Sequence, residues 1–145
     1  MTDARPIEIL LVEDDPGDVL MAREALEEGK VANRLAVVSD GAEAIAYLRA
    51  EHPDTGRTRP DLVLLDLNLP RMSGLEVLEV MKADASLRRI PVVVLTTSDA
   101  ELDIIKSYDL HANAYIKKPV DFDQFVSVVR QIDEFFVSVV ILPPS

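Results

Sequence analysis

The chain has 145 residues, the length of one ordinary domain, and 48% of them are apolar, enough to bury a core. A formal net charge of −11 argues against direct nucleic-acid binding, which needs a basic footprint, and against attachment to an anionic membrane. The absence of cysteine removes disulfides, thiolate metal sites and cysteine nucleophiles, and no apolar run approaches the roughly 20 residues of a bilayer span.

Met1 to Pro6 is a polar arm with no signal-peptide core, so a cytoplasmic protein is expected. Ile7 to Val12 is apolar apart from Glu8 and predicts a buried strand. Asp15-Pro16-Gly17-Asp18 predicts a turn, with Asp18 capping a helix to about Glu28 whose apolar set is Val19, Ala22, Ala25 and Leu26. Arg34 to Val38 is a second strand. Gly41 opens a helix to Arg49, with Ala42, Ile45, Ala46 and Leu48 inward. A polar loop, His52 to Pro60, leads to the third strand, Leu62 to Leu65. A third helix runs from Leu75 to Lys82, with Leu75, Leu78 and Met81 spaced for one face. Val92 to Leu95 is the fourth strand, Asp99 caps a helix through Tyr108, and Ala114 to Ile116 is a short fifth strand. Asp121 caps a last helix with Phe122, Phe125, Val126, Val129 and Ile132 on one face.

Five alternations of strand and helix imply a doubly wound α/β domain over residues 7–134, with a mostly parallel sheet covered on both faces. Periodicity alone does not choose the strand order. Beyond it, residues 135–145 form an almost uninterrupted apolar tail ending in Pro143-Pro144. Such a patch usually marks an interface, and a homodimer contact through the last helix and tail is expected.

Four short motifs follow apolar segments: Glu13-Asp14, Asp66, Thr96 and Lys118-Pro119. Open α/β sheets place their sites at the carboxyl ends of the strands, where these four would meet. Clustered carboxylates, a hydroxyl and an ammonium suit a divalent cation with a phosphoryl group. Taken without further context, Thr97 competes with Thr96, and Lys117 with Lys118.

Read together, ILLVEDDP (Ile9 to Pro16), DLVLLDLNLPRMSG (Asp61 to Gly74), PVVVLTTS (Pro91 to Ser98) and AYIKKP (Ala114 to Pro119) resemble the receiver domains of two-component response regulators. The resemblance runs from Ile7 to about Gln131. The intervals match too: 30 residues from Asp66 to Thr96 and 22 from Thr96 to Lys118. It implies a flavodoxin-like five-stranded sheet in the order 2-1-3-4-5, with the site at the switch point. Asp66 is then the phosphoacceptor. Mg²⁺ is bound by Asp14, Asp66 and the main-chain carbonyl of Asn68, with Glu13 acting through water. Lys118, held by a cis bond to Pro119, pairs with Asp66 and then with the phosphoryl oxygens. Thr96 and Tyr115 are the switch pair, Tyr115 turning inward as Thr96 moves. Asn68 and Ser98 match the positions that influence acyl-phosphate lifetime.

The resemblance further implies a sensor histidine kinase as phosphodonor and a downstream phosphotransfer or effector protein as target. The chain is then a signalling protein with self-catalysed phosphotransfer and slow autodephosphorylation, not a metabolic enzyme. The tail and the long loop before the third strand resemble single-domain regulators associated with phytochrome photoreceptor kinases. Two other readings compete. A Mg²⁺-dependent aspartyl-phosphate phosphatase would carry its DxD nucleophile motif on the first strand, whereas Asp66 lies on the third. A pseudo-receiver acting as a constitutive binding module would have lost site residues that are present here.

Overall fold

Five apolar runs assemble into one parallel sheet. The strands are β1 (Ile7–Val12), β2 (Asn33–Val38), β3 (Leu62–Asp66), β4 (Val92–Thr96) and β5 (Ala114–Lys117), in the order β2-β1-β3-β4-β5. Among the described residues four helices accompany them: α1 (Pro16–Glu28), α2 (Gly41–Arg49), α3 (Gly74–Ala83) and α4 (Phe122–Phe135). The computed structural model describes residues 6–29, 32–49, 60–96, 100, 114–117 and 122–135. Of the helix expected from Asp99, only Ala100 is described, and it is helical; the rest of that helix and the tail beyond Phe135 lie outside the described residues. Among these helices none is long and apolar enough to cross a membrane.

The period-2 alternation of each strand divides the core in two. Leu10, Val12, Val63, Leu65, Val92 and Val94 face α2 and α3, and meet Ala44, Leu48, Val77, Leu78 and Met81. Ile9, Leu11, Leu62, Leu64, Val93 and Leu95 face the other way, onto Ala22, Ala25 and Leu26 of α1 and Phe125 and Val129 of α4. Strands covered on both faces read as continuous apolar runs, which is why β3 and β4 are buried at every position. β2, at the sheet edge, is nowhere fully buried. At the opposite end of the strands, Glu8 and Asp61 lock β1 to β3. The Asp61 amide donates to the Glu8 carbonyl at 2.7 Å, and the Glu8 amide to Asp61 Oδ2 at 2.9 Å.

Several local expectations change. α1 begins at Pro16 and not at Asp18: Asp15 is the N-cap, in extended backbone, and its carboxylate accepts from the Asp18 amide at 3.3 Å. Proline suits the first helical position, because its fixed φ is helical and its missing N–H has no partner there anyway. On α2 the buried residues are Gly41, Ala44 and Leu48, with Ile45 half-buried, while Ala42 and Ala46 are exposed. Steps of three and four residues share a helix face, so positions 41, 44 and 48 line one stripe and 42 and 46 fall off it. On α3, Val77 joins Leu78 and Met81 in the core, and Leu75 is only half-buried. That helix starts one residue earlier than expected, under a full capping box. The Ser73 hydroxyl accepts from the Glu76 amide at 3.2 Å, and the Glu76 carboxylate from the Ser73 amide at 3.0 Å.

Candidate metal centre

β1 and β3 are neighbours running in the same direction, with Val12 in register with Leu65. The residues that follow each strand therefore emerge side by side. Carboxylate oxygens of Glu13, Asp14 and Asp66 all lie within 4.8 Å of one another. Glu13 and Asp66 are each only 2% exposed, whereas Asp14 faces solvent. Main-chain bonds fix this edge. The Glu13 amide donates to the Val38 carbonyl at 3.0 Å, and the Leu67 amide to the Leu95 carbonyl at 3.1 Å. Glu13 Oε2 accepts from the Asp15 amide at 3.2 Å, and Asp66 Oδ1 from the Asn68 amide at 3.0 Å, closing an Asx turn. Asp15, though acidic and adjacent, is outside the cluster and is used as the cap of α1.

Three carboxylates this close repel one another unless a cation sits among them. The donor set is all hard oxygen, as Mg²⁺ and similar ions prefer, and the exposed side at Asp14 leaves room for the waters such ions retain. A cleft of about 310 Å³ opens from Glu13 and Asp14 toward Pro16, Val19, Leu20 and Arg23 of α1.

Thr96 ends β4, one residue past the position in register with Asp66, and is wholly buried. Tyr115 on β5 is in register with Val94, two residues before Thr96, so Thr96 and Tyr115 belong to the same face of the sheet. Tyr115 is half-buried and packs on the α2/α3 side of the core. Lys117 is in register with Thr96. Lys118, Pro119, Thr97 and Ser98 lie outside the described residues.

Residues without acid, base or ligand chemistry shape the site as well. A Cβ on Gly74 would lie 2.2 Å from the main-chain oxygen of Asp66, and one on Gly41 would lie 2.1 Å from that of Met72. Only glycine lets α3 and α2 approach the 67–73 loop this closely. The pattern Asp40-x-x-Glu43 is the readable signal for the cap of α2: the Glu43 amide donates to Asp40 Oδ1 at 2.8 Å. Nothing in the spacing of single glycines marks the close approaches.

The response regulator receiver domain model matches residues 9–130. Response regulator Rcp1 of Synechocystis sp. is 42% identical over 97% of this chain and 95% of its own length. Its Mn²⁺-bound crystal structure superposes with a TM-score of 0.73, at 42% identity over 96% of this chain and all of that one. The phosphorylated cyanobacterial phytochrome response regulator RcpA is 48% identical, with a TM-score of 0.74 over 97% of this chain and all of that one. The bacteriophytochrome response regulator RtBRR is 45% identical, with a TM-score of 0.78 over 88% of this chain and 78% of that one. With its sheet order, its carboxylate cluster and these likenesses, the chain belongs to the response regulator receiver domain family, the signalling modules of phosphorelays, and is related to the phytochrome response regulators.

Proposed function

We propose that the chain accepts a phosphoryl group on Asp66 from the phosphohistidine of a sensor kinase, with a divalent cation at Glu13, Asp14 and Asp66. The observation that carries this is the carboxylate cluster itself, within 4.8 Å at the strand ends and beside the buried Thr96. That Rcp1 has been solved with Mn²⁺, and RcpA in phosphorylated form, supports the reading.

In the transfer, an Asp66 carboxylate oxygen attacks phosphorus in line as the phosphorus–nitrogen bond of the phosphohistidine breaks. An acyl phosphate forms and the electron pair returns to the imidazole. Glu13, Asp14 and Asp66, with the Asn68 carbonyl, would hold Mg²⁺, which would neutralise charge on the transferring oxygens. Glu13, held by the Asp15 amide, would act on the cation through water. Asp66 is oriented by the Asn68 amide on one of its oxygens. Lys118 pairs with Asp66 at rest and with a phosphoryl oxygen afterwards. Three carboxylates, a dication and one lysine sum to about zero; the acyl phosphate replaces the Asp66 carboxylate charge with about two, so the site is left with about one uncompensated negative charge. Thr96 responds by donating its hydroxyl, and Tyr115, on the same face, turns into the space vacated. The readout is a change in protein binding, with dimerisation through α4 and the tail, and the kinase is a phytochrome-type photoreceptor.

The test is intact mass after incubation with acetyl phosphate, with and without Mg²⁺, beside Asp66→Asn. A metal-dependent gain of one phosphoryl group, absent in the variant, is expected. A chain that binds Mg²⁺ but takes up no phosphoryl group from acetyl phosphate or any candidate kinase would favour the constitutive binding module instead.

A further inference from the structure

The loop from Leu67 to Ser73 carries Asn68, and it is fastened at both ends. Its near end is anchored on β3, where the Asn68 amide donates to Asp66 Oδ1 at 3.0 Å, and the Gly74 amide at the start of α3 closes back on the Leu67 carbonyl at 3.2 Å. Its far end is anchored on a different element, the N-terminus of α2. The Met72 carbonyl lies directly against Gly41, where a Cβ would come within 2.1 Å. Arg71, one residue earlier, has φ 63, a left-handed conformation that side-chain-bearing residues rarely adopt. Its guanidinium Nη1 lies 3.5 Å from Asp40 Oδ2. The Asp40 side chain is only 6% exposed, and its other oxygen holds the Glu43 amide at 2.8 Å. A buried carboxylate needs its lone pairs occupied, and Asp40 divides them between the cap of α2 and the loop.

We propose that Asp40 and Arg71 act as a pair of positioning residues for the divalent-cation site, holding the loop so that the Asn68 carbonyl and Asp66 keep their relative placement. The proposal rests on the reading of Glu13, Asp14, Asp66 and Asn68 as the metal site. The Arg71 side chain is 76% exposed, so an ion pair there contributes little to global stability. Its effect is geometric: it selects the left-handed turn at Arg71 and with it the path of the loop. Outer residues that orient metal ligands affect affinity without touching the ion.

The experiment is calorimetric titration of the full chain with Mg²⁺ alone, with thermal midpoints measured without metal. The variants are Arg71→Asn, Arg71→Lys, Asp40→Asn, the Arg71→Asn/Asp40→Asn double and Asp66→Asn. Asparagine tolerates the left-handed conformation but is too short to reach Asp40. Asp40→Asn keeps an oxygen for the Glu43 amide and loses the charge. We expect each single asparagine variant to weaken Mg²⁺ binding roughly tenfold, the lower end of what supporting residues contribute. The double variant should be no weaker than either, because the two residues act as one unit, and Arg71→Lys should recover part of the affinity. A simple charge effect predicts opposite signs. Losing the Arg71 charge would tighten cation binding, and losing the Asp40 charge would loosen it.

Opposite signs, additive losses in the double variant, or affinity losses that follow the thermal midpoint in every variant would overturn the proposal. So would unchanged affinity in folded Arg71→Asn. Should Asp40→Asn not fold, the sign of the Arg71→Asn effect decides by itself. A wild-type chain that binds no Mg²⁺, or an Asp66→Asn variant that binds it unchanged, would instead remove the metal-site reading and the positioning role of Asp40 and Arg71 with it.

Discussion

Replacing Gly74 with alanine should destabilise this domain, although alanine is the better helix former. Gly74 is the first residue of α3, where alanine would gain at most about 1 kcal/mol over glycine from propensity. Against that, the added Cβ would lie 2.2 Å from the Asp66 oxygen and 2.7 Å from Leu67 Cα, while ordinary contact begins at 3.4 Å. The overlap of about 1.2 Å is with main chain, so no rotamer change relieves it. Forcing extra volume into a packed position costs about 1–3 kcal/mol, which outweighs the propensity gain. A net loss of roughly 1–2 kcal/mol corresponds to about 2–8 °C in thermal midpoint for a chain of this size. The relief movement also displaces Asp66 itself, and a shift near 1 Å at a reacting group can lower a rate about a hundredfold. The assay is therefore twofold: thermal unfolding, and the rate of acetyl-phosphate labelling by intact mass at saturating Mg²⁺. Gly17→Ala is the control, because there a Cβ would meet only the Asp15 carboxylate, at 3.6 Å and beyond. Its midpoint should equal or exceed the wild-type value. A Gly74→Ala protein as stable as wild type and labelled at the same rate would refute the argument that this contact sets the position of Asp66.

Ser73→Ala removes the hydroxyl side of the α3 capping box and should lower stability by about 1 kcal/mol, read from urea unfolding at neutral pH. Asp84, which caps the end of α3, is held below its ordinary value of 3.8, first by the Ser86 hydroxyl bond and then by the Ser86 amide. A depressed carboxyl contributes stability above its unfolded pKa and loses it as pH falls through the folded one. The stability gap between wild type and Asp84→Asn should therefore be constant above about pH 5 and close as pH falls below 3.8. A gap that widens in acid would contradict the assignment. Finally, Mg²⁺ should raise the thermal midpoint of wild-type chain at neutral pH, by mass action on the folded state. Asp14→Asn, which removes one carboxylate of the cluster, should lose most of that rise.

Strand and helix types, and which residues end the strands, follow from local properties that survive in a linear chain. Apolar runs such as Ile7 to Val12 and Val92 to Leu95 can only be buried strands when flanked by helical periods. Parallel strands then carry Glu13, Asp14, Asp66 and Thr96 to one edge whatever the details of packing. Helix starts were less readable. Asp18 reads as the cap of α1, and only the geometry around Pro16 gives that place to Asp15. The inward face of α2 differs from the sequence expectation because alanine carries a weak hydrophobic signal. Ala42, Ala44 and Ala46 look alike in sequence, yet only Ala44 meets the core.

What the chain determines by itself is the set of chemical groups and the end of the sheet at which they gather, since both depend on residue type and order. The tertiary structure alone decided that Glu13 is buried while Asp14 faces solvent, and that α2 and α3 press glycines against the main chain of the 67–73 loop. It also joined Arg71 to Asp40, 31 residues away. Such contacts are distances between separate elements, set by how helices pack on a twisted sheet. Close-packed interiors turn small differences in helix placement into the presence or absence of a contact, and no spacing along the chain records them.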